Sequence, residues 1–131
     1  MDVIEYPFCK LYKDGKFRLP NKVRNYLRSL RIQKVVLIPN TGNKILMLPV
    51  SHWERSKNYY HENFPVSYPV RPQSIDSTFL YLHPKLIEYL PKTENLFFEQ
   101  NDKYYLIWIE DEYWQENEKK IIQIKNQYHH F

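Results

Sequence analysis

The chain has 131 residues and a mass of 16.2 kDa, and its 43% hydrophobic, 17% aromatic and 26% charged content is that of a globular protein, which excludes a largely disordered chain. The longest apolar runs, such as VVLI and ILMLPV, fall far short of the roughly 20 residues that cross a bilayer, MDVIEYPF has no basic-then-apolar leader, and a single Cys9 forms no internal disulfide, so a soluble, cytoplasmic protein with no membrane partner is expected. The formal charge of +4 is uneven: residues 1–50 hold ten Lys/Arg against three acids, and from Lys10 to Lys34 nine basic residues face Asp14 alone, a block that suits an anionic partner or, in the plainer reading, a solvated face.

From the N-terminus, VIEYPFCKLY is compatible with a strand, KDG gives a turn in which Gly15 can take positive φ, and KFRL resumes an extended run. Pro20 suits a helix start, and Val23, Tyr26, Leu27 and Leu30 follow at helical spacing with Lys22, Arg24, Arg28 and Arg31 mostly off that stripe. KVVLI and KILMLP around PNTGN predict a β-hairpin. SHWE then predicts a capping box, Ser51 with Glu54, opening a helix to about Tyr60. FPVSYPVRPQS, with three prolines and no period, predicts a linker or covering loop. Beyond it STFLYLH is strand-like, Pro84 opens the short helix PKLIEYL, Pro91 stops it, NLFFEQNDKYYLIWI is a second hairpin turning at QNDK, and EDEYWQENEKKIIQIKNQ is a helix with acids in its first turn.

The order of elements therefore occurs twice, and residues match as well. LPNKVRNYL set against LHPKLIEYL keeps Leu19 with Leu82, Lys22 with Lys85, Tyr26 with Tyr89 and Leu27 with Leu90, while ILMLPVSHW set against LIWIEDEYW ends with Trp53 opposite Trp114. A duplication predicts a first half over residues 1–63, a Pro-rich linker over 64–74 and a second half over 75–131, paired around a common core as one structural domain.

These features resemble the MraZ family, whose members carry two AbrB-type swapped-hairpin DNA-binding motifs. Gly15, Lys16, Pro20, Val23, Arg24 and Leu27 fall on its pattern of an aspartate, then GR, then a proline opening PxxLRxxL; ILMLPVSHWE is similar to its LLLYPLPEWE, and YYLIWIEDEYW to its FEIWDKERW. The resemblance spans about residues 6–120 and implies an α+β fold: a duplicated swapped-hairpin β-barrel with short flanking helices and pseudo-twofold symmetry. It also implies a promoter-binding transcriptional regulator that contacts double-stranded DNA as a homo-oligomer, in rings that repeat the site, and that is associated with the nucleoid. In the family the signature arginine touches DNA and the aspartate shapes the strand-turn. Here the first copy has Tyr12 and Lys16 at those positions, whereas the second keeps Asp76 but has Phe79 for the glycine and Leu80 for the arginine. Lysine for arginine retains a phosphate contact and gives up the bidentate fork that reads guanine, worth about 1–3 kcal/mol per contact.

The expected DNA contacts accordingly lie in the first copy: Lys10, Lys13, Lys16 and Arg18 around the strand-turn-strand, with Arg24 and Arg28 on the adjacent helix. The alternative is a protein-interaction, assembly or antitoxin-like module that kept the fold and lost sequence-specific DNA binding. No enzyme, metal or cofactor is predicted. None of the five histidines sits at ligand spacing with a carboxylate or Cys, two glycines cannot build a glycine-rich phosphate cradle, and Glu110, Asp111, Glu112, Glu116 and Glu118 suit a helix N-terminus. Trp53, Trp108 and Trp114 are expected in packing, and Cys9 as a small apolar residue of the first strand.

Overall fold

A computed structural model describes residues 6–40, 43–63, 68–102 and 104–109, with only the backbone of Tyr89. In chain order the elements are β1 (Phe8–Lys10), β2 (Lys16–Phe17), α1 (Asn21–Ser29), β3 (Lys34–Asn40), β4 (Lys44–Pro49), α2 (Val50–Asn63), β5 (Gln73–Ser74), β6 (Leu80–Tyr81), α3 (Pro84–Tyr89), β7 (Asn95–Asn101) and β8 (Tyr104–Ile109). The result is an α+β fold with a curled antiparallel sheet and few short helices, compatible with a barrel-like architecture. The C-terminal helix expected from Glu110, with its acids and Trp114, and the histidines His129 and His130 lie outside the described residues.

The two apolar hairpins form where the alternation places them. β3 pairs with β4 and β7 with β8; β4 then pairs with β8 through Ile45↔Ile107 and Leu46↔Leu106. Because successive side chains point to opposite faces, Val35, Leu37, Ile45, Met47, Leu96, Phe98, Tyr105 and Ile107 enter the main core. Val36, Ile38, Leu46 and Leu48 face the other way, where α2 covers them with Trp53 and Tyr60. At the far hairpin Asp102 turns the chain at φ 56, and Asn101 pairs with Tyr104.

Each hairpin is flanked by a further strand, β1 on β7 and β5 on β3. The backbone bonds continue these pairings: Leu11 N–H donates to Glu94 O at 2.9 Å and Ile75 N–H to Gln33 O at 3.0 Å. The sheet order is β1-β7-β8-β4-β3-β5, and β2 pairs with β6 in a separate ladder that sets Phe17 opposite Leu80. One main core holds Phe17, Val23 and Leu27 together with Leu80, Leu86 and Leu90, so residues from before and after the proline-rich stretch bury one another.

Three local expectations are corrected. The strand expected over STFLYLH is the two-residue β6, and β5 precedes it inside the stretch expected as a linker, because Gln73 and Ser74 extend the edge of β3. Pro20 caps α1 from outside, its fixed φ of −55° leading into Asn21. Ser51 is not an N-cap: α2 starts at Val50 directly from β4, so Ser51 already lies in its first turn and Glu54 pairs with Lys57 at 3.6 Å instead. α1 closes with Arg31 at φ 59, Arg31 N–H donating to Arg28 O at 2.9 Å and Ile32 N–H to Leu27 O at 3.0 Å, the double closure that usually takes glycine at this position.

Candidate nucleic-acid interface

The turn between β1 and β2 is built by local backbone bonds. Gly15 N–H donates to Tyr12 O at 2.9 Å, Tyr12 N–H to Lys16 O at 3.0 Å, and Lys16 N–H to the Asp14 carboxylate at 3.2 Å. Gly15 is required twice over. Its φ is +84°, and a Cβ there would lie 2.5 Å from Ile87 Cδ1 and 2.8 Å from Leu82 O. Its carbonyl also accepts from Leu82 N–H at 2.9 Å, which ties this turn to the segment leading into α3.

β2 then alternates. Phe17 and Leu19 are buried, so Lys16 and Arg18 project outward. There they meet an aromatic pair from before and beyond the proline-rich stretch, Tyr12 and Phe79, whose rings pack edge to face with centroids 6.2 Å apart. Lys16 Nζ lies 5.5 Å from the Tyr12 centroid and 5.0 Å from that of Phe79, Arg18 Cζ lies 5.4 Å from Phe79, and Lys10 Nζ lies 5.2 Å from Tyr12. Contacts of this kind are worth about 0.5–1 kcal/mol at exposed sites, enough to bias a long side chain without neutralising it. Lys16 has a loose acidic neighbour, Asp14, at 3.9 Å. Lys10, Lys13 and Arg18 have no acidic partner among the described residues.

The other two expected contacts, Arg24 and Arg28, have hydrogen-bond partners within the chain. Arg24 Nε donates to Ile75 O at 2.8 Å and its Nη2 to Ser77 O at 3.4 Å, and Arg28 donates through Nε, at 2.9 Å, and Nη2 to one oxygen of Asp76. Ser74 Oγ in turn accepts from Asp76 N–H at 3.2 Å. Both arginines therefore clamp the turn ahead of β6. Phe79 is the residue that sequence reasoning missed as part of this surface. The available signal was an aromatic standing where the resembled pattern has glycine, matched by another, Tyr12, where it has aspartate.

Burial pushes the Cys9 thiol up to about 12, so it stays protonated and unreactive near neutral pH. Among the described residues no group of three or more His, Cys, Asp or Glu could hold a metal ion, and no helix is long and apolar enough to cross a membrane. Trp53 and Trp108 are buried, Trp53 stacked on Tyr60 and Trp108 beneath Lys44 at 3.8 Å, which removes them from base stacking. Neither any protein-family model nor any curated protein matches this chain.

Proposed function

We propose that the protein is an MraZ-like DNA-binding transcriptional regulator that uses the basic face of its first half, a duplicated AbrB-type unit, on promoter DNA as a homo-oligomer. The observation that carries this is the gathering of Lys10, Lys16 and Arg18 around Tyr12 and Phe79, with Lys13 at the adjoining turn. The reciprocal pairing of β1 with β7, β5 with β3, β2 with β6 and β4 with β8 supports the duplication, since two copies of one unit pack this way about a pseudo-twofold axis. Most of the binding energy would come from phosphate neutralisation and counterion release. Because a four-cation site is weak by itself, repetition in an oligomer would raise its avidity by about two orders of magnitude or more.

The test is electrophoretic retardation of a fragment from upstream of the protein's own gene, titrated with salt. If all four cations reach phosphates, the slope of log K against log salt per site is about −3 to −4. Lys16→Ala with Arg18→Ala should lower affinity at least about tenfold and reduce that slope by about 2. No shift at low salt, or one indifferent to this double substitution, rejects the reading.

Phe8 favours a second reading, a protein-assembly module. It is 63% exposed on β1, an edge strand of the sheet. A stable complex with a partner protein that survives nuclease treatment and is lost in Phe8→Ser, with no DNA shift, would establish it in place of the first.

A further inference from the structure

Beside the basic face lies a groove of about 830 Å³, walled on one side by the β1–β2 turn and on the other by the end of α3 and the segment running from it to β7. The apolar part of its lining, here termed its floor, is Leu11, Ile87, Leu90 and Pro91. Its lining also carries Lys10, Lys13, Lys16 and Lys92 against Asp14 and Glu94, and Lys92, like Lys10 and Lys13, has no acidic partner among the described residues. The groove exists because of two sequence features already described. Gly15 lets the turn sit against Ile87, and Pro91 ends α3 and directs the chain away toward β7.

We propose that this groove binds a small amphipathic anion, an apolar body bearing a phosphate or carboxylate, and that its occupant competes with DNA for Lys10, Lys13 and Lys16. The volume falls in the range of about 300–1,000 Å³ typical of small-molecule sites. A concave surface with low-dielectric walls focuses the field of its four lysines, which outnumber the two acids Asp14 and Glu94, and this selects an anion. The floor selects against a plain inorganic ion or a polymer backbone, because neither has hydrocarbon to cover Leu90 and Ile87, whereas a hydrophobic tail gains by leaving water there. Three of the four lysines are the very residues assigned above to phosphate contacts, so the two ligands cannot be held together. The competition rests on the DNA-binding reading; the binding does not.

The probe is octyl phosphate below its micellar concentration, followed by backbone amide shifts of the whole chain, with octanoate, inorganic phosphate and octyl glucoside in parallel. Octyl phosphate and octanoate should shift Leu11, Ile87 and Leu90 saturably, at least about tenfold more tightly than inorganic phosphate or octyl glucoside. Lys13→Ala with Lys92→Ala, both on the exposed rim, should weaken them by about tenfold. Absence of saturable shifts, equal binding of octyl glucoside or of inorganic phosphate, or indifference to the double substitution overturns the proposal. Retention on phosphatidylglycerol vesicles without any response to monomeric octyl phosphate overturns it too, in favour of a lipid surface. A chain that binds octyl phosphate but no DNA sustains the groove and removes the regulator reading; one that binds both must release DNA as octyl phosphate is added, or the competition is wrong.

Discussion

The turn ahead of β2 is entered from β1, which borders β7, and the turn ahead of β6 from β5, which borders β3, and they are closed by different means. The first, from Tyr12 to Lys16, closes on its own backbone with Gly15 left-handed, and it leaves Lys13, Lys16 and Arg18 outside. The second, from Asp76 to Leu80, is closed from α1 by Arg24 and Arg28, and its Leu80, which the MraZ pattern sets at the place of Lys16, is instead fully buried opposite Phe17, the residue whose place it takes in the β2–β6 ladder. It is also one residue shorter, Ile75 to Leu80 against Leu11 to Phe17, and holds no left-handed residue, so Phe79 can stand where the resembled pattern has glycine. Basic residues close in sequence are thus used differently: Arg24 and Arg28 hold a neighbouring turn shut, whereas Lys13 and Arg18 have no acidic partner among the described residues.

The sharpest way to break this contrast is to make the second turn resemble the first. Leu80→Arg, which restores the residue the MraZ pattern has there, puts a charge into a site without solvent or partner, and should cost at least about 4 kcal/mol, read as loss of the cooperative urea transition. An Arg that is tolerated with unchanged stability would show that β6 can present an outward cation after all. The converse change, removing what is special to the first turn, is Gly15→Ala. Left-handed strain together with the clash on Ile87 and Leu82 predicts a loss of about 2–4 kcal/mol, measured by the same unfolding curves. A loss below about 1 kcal/mol would mean that the turn moves off α3 at little cost.

Much of the fold was legible because its signals are local. VVLI with ILML, and NLFF with YYLIWI, carry the period of two and bracket turn residues, so both hairpins lie where the pattern put them. Val23 and Leu27 at helical spacing behind Pro20 gave α1 and its buried face. Illegible features depend on distant partners. Gln73 and Ser74 have no strand pattern of their own and become β5 only because β3 offers an open edge. Arg24 and Arg28 look like the continuation of a basic block, since nothing near them in sequence announces a carboxylate and two carbonyls some 50 residues away. The basic strand-turn-strand was visible as charge, but its aromatic half, Phe79, comes from beyond the proline-rich stretch.

Two smaller effects sharpen the division of labour. Phe79→Leu keeps a side chain of similar apolarity and removes the ring faces beneath Lys16 and Arg18. It should weaken DNA binding about fivefold, the equivalent of two exposed cation–π contacts at the low end of their worth, while leaving the salt slope unchanged because no charge is lost. A changed slope would mean that the substitution has displaced a phosphate contact and not merely loosened its holder.

The smallest expected effect belongs to the Arg28–Asp76 pair, and its size separates a clamp from a binding residue. Both side chains are about half exposed, 53% and 56%, so water and salt screen the pair and a double-mutant cycle of Arg28→Ala with Asp76→Ala should give a coupling of only about 0.5 kcal/mol in urea unfolding. DNA affinity should barely follow, because the guanidinium is already committed to Asp76. If Arg28→Ala instead lowers affinity as much as Lys16→Ala does, while Asp76→Ala raises it, the carboxylate is withholding Arg28 from DNA, and the second turn is a regulated part of the interface instead of its scaffold.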